Sequence, residues 1–274
     1  MTNEKIIMEL RKRGYDAEPY TTIKNSVELE GIRILTDSDT APVIYTAEII
    51  RVAELLGKSF DDVVDKVIEI YKNGTKINFN TKNLTDREFM LSHLYIALQR
   101  ESEEKLIKRG CQFKNIESYL YIKAEDSEGS YSVKMNDYLL EKNGISEEEA
   151  WKQAEKNTYA DTVIRTMSEL MNEILEHEEY EECEKPPVEM YVVSNKKNYK
   201  GASAILNKKA ISDFAQKIGV EKFVVLPSSI HEVIIIPFDE SMKMDEFTSM
   251  VCEVNTWEVA PEERLADMAY IITI

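Results

Sequence analysis

The chain has 274 residues, of which 43% are hydrophobic and 31% are charged, and this composition is typical of one large folded domain or two smaller ones. Its 51 acidic and 34 basic residues give a formal net charge of −17. That charge argues against a nucleic-acid binder, because contacts with a phosphate backbone need clustered Lys and Arg. Two interpretations of the acidity stay open: plain solubility, or a surface that mimics nucleic acid and binds a basic protein.

Three cysteines occur, Cys111, Cys183 and Cys252, and their wide spacing without a CxxC pair predicts neither a disulfide framework nor a zinc site. Free thiols suit a reducing cytoplasm. The first residues are charged and lack the apolar centre of a secretory signal. No stretch approaches the roughly 18 apolar residues of a membrane span. We therefore expect a cytoplasmic protein that makes no membrane contact, binds no metal and carries no cofactor.

The N-terminal region predicts mixed α and β structure. Apolar and charged residues alternate with period two at 27–34, which indicates a half-buried strand. Ser59 and Asp62 have the spacing of a helix N-cap with an acidic third position. The predicted elements are a helix at 3–14 closed by Gly14, strands at 27–34 and 42–45, and helices at 47–56 and 59–71.

The middle of the chain gives weaker patterns. Its predicted elements are a helical turn at 85–90, an apolar run at 93–99 that fits a strand or a helix, a strand at 118–124 paired with 130–134, and a helix at 146–157. A longer helix is predicted to begin at Thr158 or Asp161. Its apolar residues recur at helical spacing: Val163, Ile164, Met167, Leu170, Met171, Ile174 and Leu175.

An acidic run of six glutamates lies between residues 176 and 184 and is followed by Pro186 and Pro187. The prolines end the preceding helix and the charges favour a solvated linker. We therefore predict two regions: residues 1–182, an N-terminal α+β region with a helical middle, and residues 183–274, a C-terminal α+β subdomain.

The C-terminal region has the clearest pattern. Asn207 and Gly219 have the positions of a helix N-cap and C-cap. The predicted elements are strands at 190–194 and 201–206, a helix at 208–218, a hairpin at 223–237, a helix at 244–254 and a strand at 268–274. This order, ββαββαβ, predicts the α+β class with a largely antiparallel sheet and helices packed on one side.

The hairpin at 223–237, FVVLPSSIHEVIIIP, joins two continuously apolar runs, which is typical of inner strands covered on both faces. Its turn carries the candidate catalytic residues Ser228, Ser229, His231 and Glu232. A hydroxyl, an imidazole and a carboxylate this close could support general-base chemistry. However, no GxSxG elbow is present, and neighbouring strand residues point to opposite faces. The alternative is that the serines bond the turn backbone and His231 is structural.

A second polar group provides the candidate binding residues Asn255, Glu258, Glu262 and Glu263. Asn255 lies near a predicted helix C-terminus, and the two glutamates after Pro261 have the positions of a first helical turn. Neither an HExxH pattern nor a Gly-rich phosphate loop occurs in the sequence, so neither a metal site nor a nucleotide site of those kinds is predicted.

These C-terminal motifs carry a resemblance. YVVSN at 191–195, LPSSIHEVIIIP at 226–237, and Val254-Asn255 followed by VAPEE at 259–263 together resemble a bacterial family described only as a domain of unknown function, number 5688. The similarity extends through VELEGIRI at 27–34 and SEEEAWKQAEKNT at 146–158, and so over most of the chain. The resemblance implies a shared fold and a candidate site, and it implies no chemistry.

Three functional hypotheses remain. The first is a non-enzymatic module that binds a protein partner or a small ligand through one surface formed by residues 226–237 and 255–263, because polar groups cluster there without a complete catalytic set. The second is a hydrolase-like enzyme with His231 as general base. The third is an acidic mimic of nucleic acid that binds a basic protein.

Overall fold

The computed structural model describes residues 1–36, 41–74, 81–126, 129–175 and 189–274. The chain forms two compact units. Unit 1 contains Met1–Leu84 with Ala124–Tyr131, and unit 2 contains Thr85–Lys123 with Ser132–Ile274. The region boundary predicted at residues 182 and 183 lies in the acidic run, outside the described residues, and stays a prediction.

Unit 1 packs three helices with a small antiparallel sheet of order β1-β2-β3. Its elements are α1 (Asn3–Lys12), β1 (Ala17–Lys24), β2 (Val27–Ile34), β3 (Val43–Tyr45), α2 (Ala47–Leu55) and α3 (Phe60–Gly74). The predicted cap of α3 is confirmed, since the Ser59 backbone N–H donates to the Asp62 carboxylate at 2.8 Å and the Asp62 N–H donates to Ser59 Oγ at 3.2 Å. The Ser59 hydroxyl also donates to the Asp62 carboxylate at 2.8 Å, and this hydrogen bond, together with the one from the Ser59 N–H, lowers the pKa of Asp62.

The sequence analysis made no prediction for strand β1, whose Pro19 has no N–H for a strand ladder. Pro19 is tolerated because β1 lies at the edge of this sheet. The turn from β1 to β2 is made by Asn25 and Ser26, both with positive φ, 48° and 63°. Two consecutive residues of this kind match the twist of a tight hairpin.

A second antiparallel sheet and the helices beside it belong to unit 2, except that the end of β6 and the start of β7, within 124–131, are assigned to unit 1. The elements are α4 (Arg87–Ser92), β4 (Leu94–Arg100), β5 (Lys108–Gly110), β6 (Ile116–Asp126), β7 (Gly129–Lys134), α5 (Asp137–Lys142) and α6 (Glu147–Ala160). Strand β6 pairs with β4 and β5 and also with β7, as the sequence predicted for β7. The ambiguous run at 93–99 is a strand. It is stabilised by its full-length pairing with β6.

The rest of unit 2 is built on a five-stranded antiparallel sheet of order β12-β10-β11-β9-β8. Its elements are β8 (Thr162–Thr166), α7 (Met167–Leu175), β9 (Tyr191–Asn195), α8 (Lys208–Ile218), β10 (Lys222–Leu226), β11 (Val233–Pro237), α9 (Met244–Trp257) and β12 (Tyr270–Thr273), with 3₁₀ turns at Gly201–Leu206 and Pro261–Glu263. Helix α8 is capped as predicted, since Asn207 accepts from the Ala210 N–H and Gly219 is left-handed. The hairpin β10–β11 is also confirmed.

Two predictions in this region are wrong. The long helix expected from Thr158 or Asp161 is interrupted, because Thr162–Thr166 forms strand β8 and the helix starts only at Met167. The β-branched residues of TVIRT pair with the buried strand β9, and this pairing overrides the helical spacing. Residues 201–206 form a 3₁₀ turn where a strand was predicted. Short apolar runs do not distinguish these states by themselves.

The inner strands β10 and β11 are buried on both faces, as their continuous apolar runs predicted. Val225 and Ile235 pack in the cluster that contains Ile211 of α8, whereas Val224 and Ile236 pack in the cluster that contains Val251 of α9. The α+β class is confirmed. The expected packing of helices on one side does not hold for this sheet, since α8 packs on one face and α9 on the other. Successive residues of each inner strand point to opposite faces, and both faces are apolar.

Candidate functional site

The turn between β10 and β11 is held together by Ser229. Its Oγ accepts from the His231 backbone N–H at 3.0 Å and donates to Glu232 Oε1 at 2.8 Å, while its N–H donates to the Glu232 carbonyl at 3.2 Å. The residue is 7% exposed. Ser228 closes the start of the same turn through its N–H, which donates to the Leu226 carbonyl at 2.9 Å. Ser229 is therefore a turn residue whose hydroxyl is already used.

Both ring nitrogens of His231 have a polar neighbour: a backbone N–H at Nδ1 and a carboxylate at Nε2. Nδ1 accepts the Lys200 backbone N–H at 3.2 Å, which assigns the proton of the neutral ring to Nε2. Nε2 faces Glu263 Oε1 at 3.5 Å. A general base needs an unprotonated nitrogen beside the group that it deprotonates. Among the described hydrogen bonds, none joins this ring to Ser228 or Ser229.

The turn is fastened to the neighbouring 3₁₀ segments. The Ile230 N–H donates to the Glu263 carbonyl at 2.9 Å, and the Ile230 carbonyl accepts from the Ala202 N–H at 3.3 Å. Ser194 Oγ donates to the His231 carbonyl at 2.8 Å. The two candidate groups predicted from sequence therefore meet at one point, through Ile230 and His231 on one side and Glu263 on the other.

The other predicted binding residues divide into buried and exposed. Asn255 is 2% exposed, and its side-chain amide donates to the Ala266 carbonyl and to Asp267 Oδ1, each at 2.8 Å. It fastens α9 to the segment before β12 and does not face solvent. Glu258 is exposed at the end of α9, and Glu262 is half-buried in the 3₁₀ turn beside Glu263.

An apolar surface that the sequence analysis missed lies on α9. Met250, Val254 and Trp257 are 50%, 42% and 79% exposed, and their i, i+4, i+7 spacing places them on one face of the helix. We call these three residues the α9 stripe. Trp257 is the most exposed large apolar side chain among the described residues.

Acidic residues flank the α9 stripe. Glu246 and Glu253 precede it on the helical wheel and Glu258 follows it, and all three are exposed. The packed residues Val251 and Asn255 lie about a quarter-turn around α9 from the stripe, and both are buried. The helix therefore has two apolar faces, one against the sheet and one against solvent. The predicted helix ended at Val254, which left Trp257 outside it and hid the second face.

No metal-site geometry or membrane-spanning element occurs in the part of the chain that the structure describes. Its His, Cys, Asp and Glu side chains do not gather in groups of three or more that could hold an ion. Its helices are all too short or too polar to cross a bilayer.

The family comparison covers nearly the whole chain. Residues 2–272 match the model of the Family of unknown function (DUF5688). The chain belongs to this family. The match confirms the resemblance seen in the C-terminal motifs, and it places both compact units and the α9 stripe inside the extent of DUF5688. No curated protein and no solved structure matches the chain.

Proposed function

We propose that the chain is a cytoplasmic, non-enzymatic module that binds a partner protein through the α9 stripe and the adjoining residues 258–263. The observation that carries this proposal is the exposure of Trp257 beside Met250 and Val254. Scattered single apolar residues are normal on protein surfaces, whereas an aligned Trp, Met and Val is typical of an interaction site. The reduced thiols of Cys111 and Cys252 suit the cytoplasm.

The energetic gain from covering the stripe is centred on the tryptophan. A Trp side chain buries roughly 150–250 Å², and at about 25 cal/mol per Å² its burial stabilises a complex by about 4–6 kcal/mol before the cost of association. Tryptophan and methionine are enriched at interface centres. A helix face is convex, whereas small-ligand sites are concave, which favours a protein partner.

Charge defines the kind of partner. Glu246, Glu253 and Glu258 flank the stripe and the whole chain carries a net charge of −17, so the complementary surface is an apolar groove bordered by Lys or Arg. A second copy of this chain would bring like charges together along the same stripe. The turn at His231 and Glu263 adds polar groups at the C-terminal end of this surface.

Photocrosslinking in cells tests the proposal. A benzophenone amino acid replaces Trp257, and the control replaces Tyr138, a 63% exposed aromatic on α5. We expect a crosslinked product specific to position 257 that disappears when Val254→Glu is added and that, when crosslinking is repeated in lysate, weakens as salt is raised. The crosslinked segment should be apolar and flanked by basic residues.

Three outcomes would overturn the proposal. Identical products at positions 257 and 138 would show that the stripe has no preferred partner. Products insensitive to Val254→Glu would place the contact elsewhere. Crosslinks formed only between two copies of the chain would make the stripe a dimer interface.

A further inference from the structure

Strand β12 forms an open edge of the five-stranded sheet. Its one neighbour among the described strands is β10. The Ile274 N–H donates to the Glu221 carbonyl at 3.0 Å, and hydrogen-bonded positions alternate along an antiparallel pair. Ile272 and Tyr270 therefore direct their backbone groups toward β10. Ile271 and Thr273 direct theirs outward, where another strand could pair.

In the part of the chain that the structure describes, the usual protection against added strands is missing at this edge. Natural edges are blocked by charged side chains, proline or bulges. Residues 268–274 contain no charged residue and no proline, and Ile271 is 43% exposed. An apolar, uncharged edge of this kind is a template for pairing with another chain.

A groove of about 530 Å³ runs beside the same strand. Its lining includes residues 270–274 along one side and Phe113, Ile205 and Ile211 on the other. Tyr270 and Ile272 point to this side of the sheet, because both pack against the cluster that contains Ile211. A strand added to β12 would place alternate side chains in this groove.

The charge in the groove differs from that of the chain as a whole. Lys208, exposed at the start of α8, belongs to the lining, and none of the described lining residues is acidic. In a chain with 51 acidic and 34 basic residues, this is a surface suited to an acidic group. The backbone edge, the apolar groove and the lysine together specify one type of ligand.

We propose that β12 binds an extended peptide segment of a partner protein as an additional strand. Alternate apolar side chains of the segment enter the groove and an acidic side chain pairs with Lys208. Strand addition of this kind takes its affinity from main-chain hydrogen bonds and its specificity from pockets for alternate side chains. The site is separate from the α9 stripe and does not depend on it.

Fluorescent eight-residue peptides test the proposal on the full chain. The first alternates Val and Ser with Glu at both ends, the second has Lys at both ends, and the third repeats the first with alternate amides N-methylated, which removes their N–H donors. We expect the first peptide to bind and both others to bind at least tenfold more weakly, about 1.4 kcal/mol. Equal binding of the N-methylated peptide, or no binding of the first peptide up to about 1 mM, would overturn the proposal.

Hydrogen exchange locates the bound peptide. The amides of Ile271 and Thr273 should exchange more slowly when the first peptide is bound, while the Ile272 amide, already directed toward β10, should not change. Unchanged exchange at Ile271 and Thr273 would contradict strand addition. Among variants, Lys208→Glu should weaken binding about tenfold, whereas the matched control Lys209→Glu, an exposed lysine outside the groove, should change it less than about twofold. Equal effects of the two variants would remove the proposed role of Lys208.

Discussion

Gly201 holds the most crowded position among the described glycines, and its replacement by alanine tests how the hairpin turn is assembled. A Cβ built at Gly201 would lie closest to Ser194 Oγ, 2.6 Å from the Asn195 nitrogen and 2.7 Å from the His231 carbonyl oxygen. Two of these three atoms belong to the backbone and cannot rotate away. The substitution must therefore separate β9 from the turn that carries His231.

The expected cost of Gly201→Ala follows from this geometry. Overpacking a close-packed site destabilises proteins by about 1–3 kcal/mol. Because two of the atoms that the new Cβ meets are backbone atoms, we expect Gly201→Ala to destabilise the fold by about 3 kcal/mol or more. For a unit of this size that corresponds to a fall in Tm of about 6–12 °C. Adding Ser194→Ala removes the nearest obstruction but also the hydrogen bond from Ser194 Oγ to the His231 carbonyl, and it leaves the two backbone contacts, so the double variant should recover only a small part of the loss.

Denaturant unfolding followed by the fluorescence of Trp151, which is 3% exposed in α6, measures this cost. The matched control is Gly110→Ala, because a Cβ at Gly110 meets no heavy atom within 4 Å. This control should be neutral or should stabilise the fold by about 0.4–1 kcal/mol, since alanine restricts the unfolded chain. Equal stabilities of the two alanine variants would refute the close approach at Gly201.

Three further predictions test the elements around the site. On α9, Val251→Ala should lower the free energy of unfolding by about 2 kcal/mol because Val251 is 6% exposed. Val254 is 42% exposed, so Val254→Ala should change the free energy of unfolding by less than about 0.5 kcal/mol. Equal costs of the two variants in urea unfolding would contradict the assignment of Val251 to the packed face and Val254 to the exposed one. Asn207→Ala should cost about 1–2 kcal/mol through loss of the α8 cap, and unchanged urea unfolding would exclude that role. Burial raises the pKa of Tyr270 to about 12, whereas the unfolded tyrosine titrates near pH 10. The stability that the buried, neutral Tyr270 contributes is therefore fully present below about pH 10 and is lost as the pH rises toward 12. Tyr270→Phe should therefore flatten the loss of stability between about pH 10 and 12, and an unchanged pH profile would exclude this assignment.

The elements predicted correctly are those with local chemical signals. Helix α8 has both caps in its sequence, and the hairpin β10–β11 has two apolar runs around a Pro-Ser-Ser turn. Strand β8 and the 3₁₀ turn at Gly201–Leu206 depend on distant partners instead. The first is a strand because β9 pairs with it, and the second is fixed by the close approach of Gly201 to the His231 turn.

The candidate site was predictable only in part for the same reason. The sequence predicted His231 and Glu263 as candidate site residues, and the structure places His231 Nε2 3.5 Å from Glu263 Oε1. It could not show that Asn255 faces inward, because burial depends on the segment before β12. The i, i+4, i+7 spacing of Met250, Val254 and Trp257 predicts the α9 stripe once the helix extends to Trp257. The predicted helix ended three residues earlier, at Val254, so the stripe was missed.

The most direct test of the proposed function is fluorine NMR of the chain labelled with 5-fluorotryptophan. The two tryptophans give two resonances, one from buried Trp151 and one from exposed Trp257. We predict that the Trp257 resonance shifts or broadens in cells relative to the purified chain, that the Trp151 resonance keeps its position, and that Val254→Glu restores the Trp257 signal. A Trp257 resonance that is the same in cells and in buffer would contradict the claim that the α9 stripe binds a partner.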